Sequence, residues 1–379
     1  AQTLQSVYGR DTIGLGRNLP DESRRIFGRL DYQINDDHRL ELSYGRLREL
    51  RQDPDDGFGF NDFSFLDNFE NEGTNSENYS GRLFSQWTDN FSTEIRVSRL
   101  DVEDIQGPVG GGEAQDADPI VRIVIDNIEN NGNFGDLVSG PGFSRSANDL
   151  QTQLDQLKLT ANYVSGRHTI TAGVEVDQFD VFNLFVQDAT GTITFDSVAD
   201  FEAGLASDIR GNGSFTGDIN DAAAEFRRTI YTGYVQDEFQ ATDDLVLTFG
   251  LRWDLYSSPD RPIENPIFEQ KYGFDNTQAF NGLNIFQPRF GFNWDAGETW
   301  GGETQFRGGI GVFSGGDPTV WFANNFQNFG GAIGSGSDSS PECAGVMGLF
   351  QVTSGGQFTG LPDCITQAQI NQATQNQGT

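Results

Sequence analysis

Along "DLVLTFGLRWDLY" (244–256) the apolar side chains Leu245, Leu247, Phe249, Leu251, Trp253 and Leu255 alternate with Val246, Thr248, Gly250, Arg252 and Asp254. Strict period-two alternation marks a strand with one apolar face and one wet face. The same pattern recurs in pairs. Ile26, Gly28, Leu30, Tyr32 and Ile34 lead through "NDD" to Leu40, Leu42 and Tyr44. Further pairs are 79–87 with 91–99, 156–164 with 168–176, 229–239 with 244–256, and 286–294 with 304–313. These predict five hairpins and ten strands. Each strand reads at about 9–12 residues, the length a tilted strand needs to cross a bilayer core. Strands of soluble proteins are nearer five or six residues.

The connections alternate as well. Turns within hairpins are mostly short, the fifth being a Gly-containing turn over 295–303, whereas the links 48–76, 102–152, 180–227 and 257–284 are long and rich in Asp, Asn, Gly and Phe. Structureless links of that length are rare in compact soluble domains. Short turns on one side and long loops on the other are the habit of transmembrane barrels. Tyr44, Trp87, Tyr163, Trp253 and Trp294 fall near strand ends on the apolar face. There a ring can sit half-buried at headgroup level. The opposite face carries mixed charge, including Arg29, Asp31, Glu41, Arg82, Lys158, Glu175, Arg252 and Asp254. Such density suits a wide, hydrated or plugged lumen, since small barrels fill their interior with packed side chains. The pattern therefore predicts an all-β, antiparallel transmembrane β-barrel whose apolar face touches lipid. The alternative is a soluble sandwich, with the same face against a second sheet.

Composition narrows the choice. The formal net charge of −32 disfavours nucleic acid, because a binder must neutralise phosphates with Lys and Arg. The acid is either a solvated surface or a source of divalent-cation sites. The segments 53–62 and 130–136 have partial calcium-loop character without EF-hand spacing, so Ca2+ in the acidic loops is the one cofactor left open. Cys343 and Cys364 lie 21 positions apart in a Gly/Ser-rich tail, which suits a loop disulfide in an oxidising compartment. Zinc ligation has no support, since His38 and His168 are far from both cysteines. No apolar run reaches transmembrane-helix length. The opening "AQTLQSVYGRDT" lacks a signal-peptide pattern.

Enzymatic motifs are missing. Neither Gly-x-Ser-x-Gly nor His-Glu-x-x-His occurs, and nothing selects a carboxylate pair among 56 acids. "GGIGVFSGG" (308–316) sits inside an alternating strand, so its glycines read as room for close approach rather than as a phosphate loop. No catalysis is expected.

The hairpins carry a family resemblance. "YTGYVQDEFQATDDLVLTFGLRWDLYSSP" (231–259) resembles the mid-barrel hairpin of TonB-dependent outer-membrane receptors. "RRIFGRLDYQINDDHRLELSYGR" (24–46), "QPRFGFNWD" (287–295) and "FRGGIGVFSGGDPTVWFANNFQNFGG" (306–331) resemble hairpins, strands and an outer loop of their Oar-like branch. The resemblance implies a 22-stranded barrel in the bacterial outer membrane, plugged by an N-terminal domain and coupled through a TonB box to the TonB–ExbB–ExbD complex. Residues 1–331 would be part of that barrel, and 332–379 a Gly/Ser/Gln-rich extracellular loop or truncated segment. Plug and TonB box have no counterpart here, and ten strands cannot close so wide a barrel. The chain therefore reads as an internal fragment of a longer receptor.

The implied partners are outer-membrane lipid and lipopolysaccharide, the TonB system, and an unknown extracellular ligand. Candidate ligand contacts are the loop aromatics Phe58, Phe60, Phe63, Phe65, Trp321 and Phe322. The same rings could instead fold the loops onto one another. A passive porin, a surface adhesin and a soluble β-sandwich binder are the rival readings.

Overall fold

The computed structural model describes residues 1–55, 62–130, 132–299, 301–315, 319–327, 331–346 and 351–376. Ten strands form one sheet. In spatial order they are β1 (Glu22–Asn35), β2 (His38–Pro54), β4 (Phe69–Thr88), β5 (Phe91–Ile105), β8 (Asn148–Ser165), β9 (His168–Phe185), β12 (Ala224–Thr242), β13 (Leu245–Ser257), β14 (Asn284–Thr299) and β15 (Gly302–Gly311). All neighbours are antiparallel. The predicted hairpins are the pairs β1–β2, β4–β5, β8–β9, β12–β13 and β14–β15. Among the described residues β1 and β15 do not pair, so this wall is open at both edges.

The wall strands run longer than the alternation indicates, up to 20 residues in β4. β2 continues to Pro54 and β4 begins at Phe69, so most of the expected 48–76 link is strand. The extra length lies at the link end, where both faces are polar. Backbone pairing continues there without any apolar signal.

One face of the wall is bare. Cross-strand register aligns Leu40, Leu83, Ile95, Leu159, Val174, Gly233, Trp253 and Phe286 in a single row. Val97 is 57% exposed and Val174 55%. Among the described residues no second sheet covers this face, which removes the sandwich's requirement. An uncovered apolar surface of this extent marks an interaction with membrane or protein. No helix is long and apolar enough to cross a membrane, which says nothing about strands.

The band has edges. On its link side, Ile26 gives way to Arg24, Tyr44 to Arg46, Tyr79 to Glu77, Val97 to Arg99 and Leu157 to Asp155, each two residues along the same face. Tyr44, Tyr79, Trp253 and Phe286 lie near that edge, whereas Trp87, Tyr163 and Trp294 lie beside the turns. From Trp294 to Phe286 the strand advances eight residues, about 27 Å. Tilted as barrel strands are, that rise approaches the ~25 Å apolar band of outer-membrane barrels.

The long links are not structureless. They fold into a cap built on a six-stranded sheet, ordered β16 (Ile333–Ser337), β11 (Asp208–Ser214), β10 (Thr192–Phe195), β6 (Arg122–Asn130), β7 (Asn133–Ser139) and β3 (Phe63–Ser64). Three separate links and the segment after β15 supply these strands. Ile123, Ile125, Ile193, Phe195 and Ile209 alternate onto one cap face. Packed on that face are α1 (Gln2–Tyr8), α2 (Val198–Ala203), β18 (Gln357–Phe358), which pairs with β17 (Thr353–Ser354), and α5 (Asp363–Asn376). Ser197 caps α2 by accepting from the Asp200 N–H. The segment 332–379 thus contributes a strand, a hairpin and a helix to the cap.

Candidate functional site: the polar wall face and its cap

The second wall face is a polar surface organised around buried carboxylates. Glu175 lies 2.6 Å from Lys158 Nζ and 3.0 Å from Arg252 Nη1. Arg252 Nε reaches Asp254 at 2.9 Å. Thr232 and Gln287 donate to the two Asp254 oxygens at 2.7 and 2.6 Å. Glu41 gathers Arg29 at 2.9 Å and Arg39 at 3.5 Å. Each carboxylate accepts from several donors, which is the condition for burying charge without a large penalty.

At the link end the cap packs against this polar face. Val181 and Phe226 of the wall meet Phe280 and Ala323, the latter on α4 (Thr319–Gln327), with Phe326 and Phe322 beside them. A second cluster lies on the other side of β9, where Leu184 and, just beyond the strand, Val186 meet Ile219 and Ala222. Three ion pairs pin the cap near the turn Ser139–Phe143: Arg10–Asp67 at 3.4 Å, Arg122–Asp55 at 3.6 Å and Arg145–Glu70 at 2.9 Å. Ser139 and Asn68 add hydrogen bonds, to Asp67 at 2.7 Å and to the Gly140 carbonyl at 2.9 Å.

The cap's own wet face forms a cavity of about 640 Å3, lined by Arg122, Asp126, Asp136, Asp196, Asp208 and Arg210. Burial and then the neighbouring carboxylates push Asp126 and Asp136 above the usual carboxylate range. Burial raises Asp188 to about 6 and Glu113 to about 7. Both hold cap joints: Thr192 donates to Asp188 at 2.5 Å, and the Asn148 N–H donates to Glu113 at 3.0 Å. Among the described residues no group of three or more His, Cys, Asp or Glu is placed to hold a metal ion.

Of the aromatics singled out as ligand contacts, the described ones are not brought together. Phe58 and Phe60 lie outside the described residues. Phe65 is only 5% exposed and packs in the cap core, so it is a folding residue and no surface contact. Phe322 packs on Phe280 with ring centroids 3.8 Å apart. Phe63 on β3 and Trp321 on α4 remain exposed, Trp321 at 78%. Cys343 and Cys364 are joined, with Sγ–Sγ 2.05 Å. Of the calcium-like segments, 56–61 lie outside the described residues, while Asn133–Ser139 is strand β7, paired with β6. Sequence reasoning missed the acidic cavity. The alternations in "RIVID" (122–126) and "TITF" (192–195) were the available signal, hidden inside links.

The family comparison agrees with a barrel wall. The outer membrane beta barrel domain family matches residues 10–378, and the chain belongs to it. It is therefore part of the bacterial outer membrane. No curated protein matches the chain. Among solved structures it is similar to the outer membrane transporter YddB from Escherichia coli, with 13% identity over 72% of this chain and 29% of that one, TM-score 0.47. Another is the closed form of the ferric-catecholate import receptor Fiu from E. coli, with 16% identity over 73% of this chain and 41% of that one, TM-score 0.42. A third is the alcaligin outer membrane receptor FauA from Bordetella pertussis, with 13% identity over 73% of this chain and 33% of that one, TM-score 0.40. The chain spans well under half the length of each.

Proposed function

We propose that this chain is part of the wall and extracellular cap of a TonB-dependent transporter of the Oar-like branch. The observation that carries the reading is the two-faced wall: a bare apolar band on one side, and on the other a charged surface covered at the link end by a folded cap. An open sheet edge in lipid would leave each unpaired backbone group costing several kcal/mol. The reading therefore gives the intact protein further strands, to about 22, with a plug in the lumen. Short turns face the periplasm and the cap faces outward. The cap captures a ligand at exposed positions such as Phe63 and Trp321, and the polar wall face lines its path or seats the plug. The plug moves when pulled by the TonB system, and no catalytic step is involved. The covered end favours a gated transporter over a passive porin.

The test is the intact mass of the native protein in the outer-membrane fraction, with peptide sequencing upstream of Ala1. A mass of roughly 100 kDa, as a plugged 22-stranded barrel requires, with a heat-modifiable gel band and a plug sequence, is the expected result. A detergent-free soluble protein near the 41.7 kDa of this chain would overturn it.

A further inference from the structure

We propose that Arg24, Arg46 and Arg48 form a binding site for the phosphate groups of the outer-leaflet glycolipid. This rests on the reading that the apolar face meets lipid and that the long links lie outside. All three side chains are exposed and project from the apolar face of β1 and β2, immediately beyond the band's link-side edge at Ile26 and Tyr44. The Tyr44–Tyr79 pair, with ring centroids 5.1 Å apart, marks that edge. Headgroups of the outer leaflet sit at this level, and in this membrane they carry phosphates.

The three arginines crowd onto one stretch of this face. Arg24 and Arg48 are direct cross-strand partners. Directly opposed residues have Cβ atoms about 4.5–5.5 Å apart, and like charges there repel. Arg46 follows on the same strand and face. Arg24 is bridged by Glu22, and Arg46 lies 3.5 Å from Glu77. Arg48 has no acidic partner among the described residues. Elsewhere beyond the same edge the cations are matched: Arg99 with Asp155 at 2.7 Å, and Arg227 with Asp180 at 2.5 Å. Among the described residues the three arginines of β1–β2 outnumber Glu22 and Glu77 on this face, and Arg48 is left without an acidic partner. A phosphate between Arg24 and Arg48 would turn the repulsive pair into two charge-assisted contacts, and the guanidinium fork matches its oxygens.

The experiment purifies the intact protein from outer membranes and measures the lipopolysaccharide that stays bound through detergent washes. Arg46→Glu/Arg48→Glu is compared with wild type and with Arg25→Glu, which reverses a charge on the polar face. At roughly fivefold per surface arginine, retention should fall at least tenfold in the double variant and stay unchanged in Arg25→Glu. Wild-type protein offered lipopolysaccharide with its lipid A phosphates removed should bind at the double variant's level. Unchanged retention in the double variant, equal loss in Arg25→Glu, or equal binding of the dephosphorylated lipid would each overturn the site. If charge reversal abolishes the heat-modifiable band, Arg46→Gln/Arg48→Gln is read by the same criteria. A wild-type protein with no heat-modifiable band sinks the barrel reading itself, a result distinct from unchanged retention in a folded barrel.

Discussion

Tyr234 lies across Gly173 on the polar face of the wall. A Cβ on Gly173 would stand 2.5 Å from the Tyr234 ring and 2.7 Å from the Leu159 carbonyl oxygen. The Tyr234 hydroxyl is 2.9 Å from Thr160 Oγ1, and Lys158 Nζ sits 5.4 Å from its ring centroid. The glycine is thus the floor on which the ring and the Lys158–Glu175 pair are set. Gly173→Val should cost about 1–3 kcal/mol through overpacking. Its expected sign is a lower temperature of conversion between the folded and unfolded gel bands. An unmoved temperature would mean that the ring does not rest there.

The two wall faces should respond oppositely to the same substitution. Leu159 lies within the bare band, and Leu159→Arg should cost about 2–4 kcal/mol if that band sits in hydrocarbon. Ser98→Arg, on the polar face, should cost well under 1 kcal/mol. Denaturant titration of the protein refolded into lipid vesicles reads both. Equal costs would place water or protein against the apolar face.

The cap should be less stable at neutral pH than at mildly acidic pH. Asp188 is buried, and its folded pKa of about 6 lies above the ordinary 3.8. A raised folded pKa gives stability that is complete below the unfolded value and is lost as pH rises through the folded value. The window is therefore about pH 4 to 6, and about two pKa units correspond to ~3 kcal/mol. Amide-exchange protection at Ile193 and Ile209, corrected for intrinsic rates, should fall across that window and flatten in Asp188→Asn. A slope that survives Asp188→Asn would assign the effect elsewhere, with Glu113 the next candidate.

Helix α5 rests on a bed of glycines. A Cβ on Gly334 would meet the Gln369 carbonyl oxygen at 2.0 Å, and one on Gly336 the Ile365 carbonyl oxygen at 2.4 Å. The Cys343–Cys364 bond holds the first turn of this helix to the segment before it. Gly336→Val should unseat α5 and expose β11 and β16 to exchange. Cys364→Ser should weaken the same region by about 3 kcal/mol, the scale for a closed loop of this size, while leaving the wall's heat-modifiability intact. Wall and cap melting together in both variants would contradict a separately anchored cap.

What could be read in the chain follows from where water and lipid lie. The five hairpins were legible because inside the band one face is apolar and the other wet, so Leu245 to Leu255 alternate. Beyond the band both faces carry mostly polar side chains. Stretches such as Glu49–Asp53 and Glu70–Asn75 keep their backbone ladder but lose the alternation. The glycines of 334–337 read as loop composition, whereas they let a helix lie on bare backbone. Phe65 read as a loop aromatic free to meet a ligand, and the cap core claimed it.

By itself the sequence determined the wall: the period of its side chains, the pairing of its hairpins, and which face is apolar. Local repulsion between polar groups and hydrocarbon sets those, and it acts residue by residue. Only the tertiary structure decided that the links form one sheet, that β10 pairs in parallel with β6 from another link, and that Arg145 meets Glu70. Those relationships join residues far apart along the chain. No local pattern encodes them, because their free energy exists only once the strands between them are in register.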